Sequence, residues 1–515
     1  MAERNGSAAE RPGFGRAVLW IALAVLACLS VFAVNGRPLF YFDTVGYISQ
    51  GHWALRQLGI RGESPLAART EKLEAEKAAN IAAGLAEPDL AEIDAENTVD
   101  GSRSSVYALT AGILARLNAL EGLIVLNVVA VLVAVWLPMR VAARRWGLPV
   151  PVSQAVAMPV IVASLGSLPF FIAYLMPDTF APVLLLVIAT LTVFGRQMRP
   201  WEIVLAVALG SLAIVSHLSH LAIGALMVPA AALVAVIMSR SRWWLPPALV
   251  VLIVGIGFAE QSVLRSAAKA MSDAEVVIKP YITARLIQDG PGMTYLETHC
   301  PNDRIPTCKL YEALQWSDDP YRITATHIVF ETSARLGSFR LMKPEDQKAV
   351  ADDQIGFFFD VLKDQPVATV MAFLKNTFIQ SGWVAIDLTL PTDKIVEQNQ
   401  DVTGLAFSSF DHGRITRDTG WLGPLTAWHE IFYVLSLVVI VALVLLPRRV
   451  PGEVKALAIM VILGILANAL VCGGISQPST RYGARVIWLL PLIATVLLVF
   501  ARRARQFDTA TEVRA

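Results

Sequence analysis

The chain has 515 residues, of which 55% are hydrophobic and only 17% charged, and its formal net charge is +1. Without a global positive field no nucleic-acid partner is expected. Apolar runs near twenty residues, bounded by arginine clusters, read as transmembrane helices, so the chain is expected to be a polytopic α-helical membrane protein in a lipid bilayer.

Arg4, Arg11 and Arg16 precede the first span, 17–34, which puts the N-terminus in the cytoplasm. No small-residue cleavage site follows, and Asn35-Gly36-Arg37-Pro38 reads as an exit, so a retained helix is expected rather than a signal peptide. A second span, 123–139, runs into Arg140, Arg144 and Arg145. The third begins near 150 and emerges at Tyr174-Leu175-Met176-Pro177-Asp178. A fourth ends at Arg196 and Arg199, and a fifth, from 203, stops at His217-Leu218-Ser219-His220. The sixth ends at Arg240 and Arg242, and the seventh covers 245–263. After a long polar stretch, the eighth ends at Arg448 and Arg449, and the ninth (456–472) and tenth (486–500) follow. Arg502, Arg503 and Arg505 return the C-terminus to the cytoplasm. Every second loop is basic and the loops between are not, which gives about ten transmembrane helices with both termini cytoplasmic.

The expected organisation is a cytoplasmic tail and first span (1–34), a first periplasmic loop (35–121), spans two to seven (122–263), a small periplasmic domain between spans seven and eight (264–428), and spans eight to ten with a tail (429–515). Within the first loop, 67–95 is rich in Ala, Glu and Lys, with charge pairs such as Lys72/Glu76 and Glu74/Lys77, and reads as one or two solvated helices. Residues 107–117 are apolar but too short to span, and are expected to lie at the membrane interface. Pro280, Pro291, Pro306 and Pro391 punctuate the later domain, and 352–378 reads as helical. No internal repeat is visible, which gives an inverted-repeat transporter no support. Cys28 and Cys472 fall in spans, where thiols act as small apolar residues. Cys300 and Cys308 enclose seven residues and in an oxidising compartment suggest a disulfide; the rival is a metal site with His299, for which four ligands are not in evidence.

Candidate chemistry gathers on one face. Asp43 lies in Leu39-Phe40-Tyr41-Phe42-Asp43-Thr44-Val45-Gly46-Tyr47, directly after the first span. A carboxylate so close to a membrane is costly unless it is used. Gly101-Ser102-Arg103-Ser104-Ser105-Val106-Tyr107 closes the first loop, Asp178 follows Pro177, and Arg481, Tyr482 and Arg485 precede the last span. His217 and His220 lie at the same level. Guanidiniums suit phosphate oxygens, and a carboxylate can take a proton from a hydroxyl nucleophile.

As an ordered set these features resemble the GT-C superfamily, multi-span glycosyltransferases that use polyprenyl- or dolichyl-linked sugars. The likeness rests on Asp43 and Tyr47 in an Asp-x-x-x-Tyr pattern, Arg103 and Tyr107 in Arg-x-x-x-Tyr, the Pro177-Asp178 pair, and Arg481-Tyr482 before the final span. It covers about the first two hundred residues and the last forty. The chain departs from the lipid A aminoarabinose and protein mannosyl branches, which carry adjacent Asp-Glu, since Thr44 follows Asp43; it also lacks the Trp-Trp-Asp of oligosaccharyltransferases. Donor and acceptor are therefore not carried over. The resemblance implies an inverting enzyme at the periplasmic face of a bacterial inner membrane, with a polyprenyl-phosphate sugar donor and a glycan, lipid or protein acceptor. In that reading Asp43 is the general base. Arg103, Arg481 and Arg485 hold the departing phosphate, and His217 or His220 assists. Asp178 binds hydroxyls or shares a divalent cation with Asp43, and metal dependence stays open.

Each residue also has a plainer reading. Asp43 and Asp178 can cap the helices that follow them. Arg103 can pair with Asp100, and Arg481 and Arg485 can snorkel to the interface. The two histidines can bridge helices. Asp289-Gly290-Pro291-Gly292 reads as a turn, and Trp383 and Trp421 as sugar platforms or interface anchors. The competing functional classes are a transporter or flippase of a lipid-linked or polar substrate, and a non-catalytic envelope assembly protein.

Overall fold

A computed structural model describes residues 13–84, 98–148, 150–238, 241–272, 275–331, 338–446 and 449–512. Arg4, Arg11, Arg240 and Arg448, the part of the expected charged helix beyond residue 84, and the side chains of Arg503 and Arg505 lie outside that description.

Helices occupy all ten positions at which apolar runs were expected. Seven are long and apolar enough to cross a membrane: Gly122–Trp146, Pro177–Phe194, Leu218–Met238, Leu245–Met271, Leu422–Leu445, Gly452–Ser476 and Thr480–Arg502. Three are shorter: Phe14–Cys28, Val152–Ala163 and Pro200–Val215. The first expected span is interrupted at Leu29 and continues as Ser30–Asn35, where Gly36 at φ +73° ends it in the left-handed region that favours glycine. The third breaks after Ala163 and resumes as the short helix Leu168–Ile172. Helix Phe180–Phe194 is apolar on every side and every residue of it is buried, so it forms the axis of the bundle. Helices Gly122–Trp146, Pro200–Val215, Leu218–Met238 and Gly452–Ala469 pack around it. At the end of Gly122–Trp146 away from the candidate site, Glu202 accepts from Arg140 and Arg144 at 3.1 and 2.6 Å.

The first loop folds around a close helix pair, Phe42–Gln57 and Ser105–Arg116. Gly51 and Gly112 permit it: a Cβ on Gly51 would stand 1.9 Å from the Ala108 carbonyl oxygen, and one on Gly112 2.7 Å from the Gly51 backbone. Ser104 caps the second helix by accepting from the Tyr107 amide at 3.0 Å. The segment expected at the membrane interface therefore spends its small-residue face, Ala108, Ala111, Gly112 and Ala115, on the partner helix. Helix Ala67–Ala82 has no buried residue, and its Lys72 pairs with Asp401 at 3.2 Å, a contact to a distant segment.

Apolar residues of the polar stretch 264–428 fall in two clusters. Helix Leu245–Ser272 carries the seventh span well past 263. Beyond it Leu286, Leu296, Leu310, Ile328, Phe339 and Phe357 build a hydrophobic core of their own. By contrast Ile386, Leu390, Ile395 and Phe410 join the core of the bundle. The strand Thr98–Asp100 pairs in parallel with Glu275–Val277, joining the first loop to the separate core. The expected helix 352–378 is two helices, Pro344–Asp364 and Pro366–Gly382. Pro366 lacks an N–H and disfavours helical backbone at Gln365, whose φ and ψ are −131° and 64°. Cys300 and Cys308 form a disulfide, and Cys28 and Cys472 are free and buried.

Candidate active site

A short bridge sets the site's geometry. The Leu39 amide donates to Ala173 O and the Leu175 amide to Leu39 O, both at 2.8 Å, which ties the exit of the first span to that of the third. Asn127, inside the second helix, donates to Ile172 O at 3.2 Å and fixes the same turn. Helix Phe42–Gln57 starts just after the bridge. Thr44 Oγ1 accepts from the Tyr41 amide at 3.0 Å, so Thr44 satisfies this helix start and Asp43 does not cap it. The Asp43 carboxylate reaches across to Arg103 instead, accepting from Nη2 at 2.9 Å. The Asp43 side chain is 37% exposed. The side chain of Asp100, the other partner considered for Arg103, lies outside the described residues. Below the pair, Tyr47 and Tyr107 meet edge to face with ring centroids 4.9 Å apart. Burial pushes both phenols well above their ordinary pKa, so they stay protonated.

Asp178 sits in a 3₁₀ turn, Pro177–Thr179, and makes no cap hydrogen bond. It is fully buried and accepts from Arg481 Nε at 3.2 Å and Arg485 Nη1 at 3.5 Å. These two arginines are four apart on helix Thr480–Ile487 and therefore share a face. They are buried ion-pair partners, not snorkelling anchors. Arg485 also donates to Asn468 Oδ1 at 2.9 Å, Ser219 Oγ at 3.3 Å and Cys472 Sγ at 3.1 Å. The Arg481 guanidinium lies 5.0 Å from the centre of the Tyr41 ring and 5.4 Å from that of Tyr482.

His217 meets Ser219. Its hydroxyl lies 2.9 Å from His217 Nδ1 and accepts from Arg485. His220 Nδ1 contacts Ala213 O at 2.8 Å, and the two imidazole rings are 5.4 Å apart. His220 thus ties helix Leu218–Met238 back to Pro200–Val215, and His217 reaches Arg485 only through Ser219.

Asp43, Asp178, Arg103 and Arg481 all act electrostatically on Tyr47, so the candidates from the first loop, the third-span exit and the last span share one locus. Asp178 Oδ2, Tyr107 Oη and Thr480 Oγ1 are buried there without a hydrogen-bond partner among the described residues. Buried polar atoms are rarely left so, and this group marks a place where a polar ligand or water would be accepted. Among the described residues the two buried guanidiniums, Arg481 and Arg485, share one carboxylate, Asp178. That balance suits an anion. Among the described residues no group of three or more His, Cys, Asp or Glu side chains is arranged to hold a metal.

Trp421 donates from Nε1 to Ile415 O at 3.0 Å and stacks on Phe170, while Trp383 is exposed. Asp289 ends a helix before Gly290 at φ +104°, as a turn requires, and is bonded to Arg285 and Asn376. Sequence reasoning passed over Asn127, Asn468 and Glu260. Glu260 lies within the apolar helix Leu245–Ser272, accepts from Ser105 Oγ, and lines a small cleft with Ser104, Val215, His217 and Gly257. A carboxylate inside an apolar run was a usable signal.

No family model matches the chain, and no curated protein matches it. A search of solved structures finds two structures of ArnT from Cupriavidus metallidurans, one bound to undecaprenyl phosphate and one in the apo state. Each is 12% identical, with 95% of this chain and 78% of that chain covered and a TM-score of 0.31. With so low a score neither neighbour bears on what this chain does, and the chemistry has to come from its own residues.

Proposed function

We propose that the protein is an inverting membrane glycosyltransferase of the GT-C kind, transferring a sugar from a polyprenyl-phosphate donor to an envelope glycan, lipid or protein acceptor at the periplasmic face of a bacterial inner membrane. One observation carries the reading: a part-exposed carboxylate, Asp43, shares a locus with two buried guanidiniums, Arg481 and Arg485, that have one carboxylate between them among the described residues, at the ends of membrane-length helices. Arg103, Arg481 and Arg485 would hold the donor phosphate. The acceptor hydroxyl would give its proton to an Asp43 carboxylate oxygen as its oxygen attacks the anomeric carbon. The anomeric C–O bond breaks, its electron pair stays on the phosphate oxygen, and polyprenyl phosphate departs against the arginines. An incoming phosphate would compete with Asp43 for Arg103, freeing the carboxylate to act as a base. Asp178 would keep Arg481 and Arg485 in place, and Tyr47, Tyr107 and Tyr482 would line the site as neutral groups.

The test is sugar transfer by purified wild type and Asp43→Asn from a panel of radiolabelled polyprenyl-phosphate sugars, with total envelope extract as acceptor. Transfer by the wild type and its loss in a folded variant support the proposal. Equal transfer by both removes Asp43 from the mechanism.

Glu260 favours a second reading, passage of a polar substrate, because intramembrane acids mark transport paths. Substrate flux across proteoliposomes that is lost in Glu260→Gln, with no transfer activity, would select it.

A further inference from the structure

Helix Pro366–Gly382 is inside out. Its polar residues Thr369, Asn376 and Gln380 are buried against the protein, while Val367, Val370, Met371, Leu374 and Phe378 are exposed. At 3.6 residues per turn these two sets fall on opposite sides of the helix. Phe378 is 82% exposed and Val367 75%. A helix surrounded by water is arranged the other way.

The buried polar face is fully used. Gln380 Nε2 donates to Ser479 O at 2.9 Å, and Gln380 Oε1 accepts from the Ser479 amide at 2.8 Å. Asn376 donates to Asp289 at 2.7 Å. Glycines seat the helix closely: a Cβ on Gly473 would stand 2.7 Å from Asn376 O, and one on Gly483 1.9 Å from Trp383 O. The helix therefore lies against the end of Gly452–Ser476 and the start of Thr480–Arg502, where two membrane-length helices meet. The first of those spans also carries exposed apolar residues, such as Ile459 and Leu466. Half-exposed Trp383 lies just beyond the C-terminal end, and exposed Lys375 flanks the stripe with a stem long enough to lift its ammonium into headgroups.

We infer that Pro366–Gly382 is a membrane-immersed, non-spanning helix whose stripe contacts lipid acyl chains of the leaflet on the Asp43 side. Seventeen residues with one apolar face suit an interfacial helix rather than a span. Because Gln380 grips Ser479, two residues before Arg481, the bilayer itself would position the arginine-bearing segment. The inference stands whether or not the protein transfers sugar.

Site-directed spin labelling tests it on the full chain in vesicles of phosphatidylethanolamine and phosphatidylglycerol. Cys28 and Cys472 are buried and Cys300 and Cys308 are bonded, so a single new cysteine takes the label. Labels at Met371→Cys, Leu374→Cys and Phe378→Cys are compared with Leu233→Cys on a span and Glu312→Cys on the separate core, both exposed. The expected result is oxygen accessibility several-fold above that of a water-soluble nickel chelate at the three stripe positions, as at 233. Chelate accessibility like that at 312 would overturn the inference. Protection from both quenchers would also overturn it, showing a protein, such as a second copy, on the stripe.

Discussion

Asp178→Asn is the most informative perturbation of the buried cluster. The substitution keeps shape and one acceptor oxygen but removes the carboxylate that, among the described residues, pairs with both Arg481 and Arg485, at 3.2 and 3.5 Å. Side-chain exposure is 0% for Asp178 and Arg485 and 7% for Arg481, so water cannot replace the lost charge. Removing one partner of a buried pair costs roughly 3–5 kcal/mol. Asn468 and Ser219 still accept from Arg485, which argues for the lower part of that range. The assay is apparent thermal unfolding in detergent, followed by a thiol-reactive dye at buried Cys28 and Cys472. A fall of several degrees is expected. Combining Asp178→Asn with Arg481→Gln removes one orphaned cation, so the double variant should be more stable than the sum of the two single losses by about 0.5–3 kcal/mol. Unchanged unfolding in Asp178→Asn, or strict additivity in the pair, would refute the idea that Asp178 is the shared counter-charge.

Asp43→Asn should reduce transfer by about 10²–10⁴-fold, as expected for a lost general base, while shifting apparent unfolding little, because its pair with Arg103 is half exposed. Gly51→Ala should destabilise by about 1–3 kcal/mol through overpacking and weaken the Asp43–Arg103 pair, since the new methyl meets the Ala108 carbonyl; a variant with native stability and activity would show that the two helices separate freely. Tyr107→Phe should leave stability unchanged or slightly raised, because the hydroxyl is buried without a partner among the described residues, and should raise KM for the donor if that hydroxyl meets substrate. His52 accepts from Arg116 at 3.1 Å, and burial, with Arg116 and Arg56 nearby, holds its imidazole below the ordinary range. The neutral form is the folded one, so its contribution is complete above about pH 6.5 and declines as pH falls through that value towards the lower folded pKa. Unfolding temperatures measured across this window should decline less in His52→Gln than in the wild type.

The positions of the apolar helices were legible because apolar length and flanking arginine are local signals. Pairings were not. Arg103 meets Asp43 from 60 residues away and Arg485 meets Asp178 from 307, separations on which local pattern is silent. The same limit hid the return of Ile386, Leu390 and Phe410 to the bundle core, since composition marks such residues as buried without saying against what. The break at Pro366 was legible and was overlooked because the apolar periodicity runs through it. For Pro366–Gly382 the period shows two faces, but only packing shows that the polar face is the buried one. Glu260 was lost in the opposite way, its charge averaged into a long apolar run.

Asp43 and Asp178, for which sequence offered the same plain reading as helix caps, stand in contrasting environments. Asp178 is fully buried, paired twice, and placed in a turn fixed by the Leu39–Tyr174 bridge and Asn127. A group so enclosed cannot approach an incoming hydroxyl without leaving two buried cations behind, so its chemistry is to hold Arg481 and Arg485. Asp43 has one partner, a guanidinium itself partly exposed, and sits in the first turn of a helix whose start Thr44 satisfies. In the proposed reaction it exchanges Arg103 for a substrate phosphate at modest cost. Paired acids on one site commonly divide labour when their surroundings differ in this way.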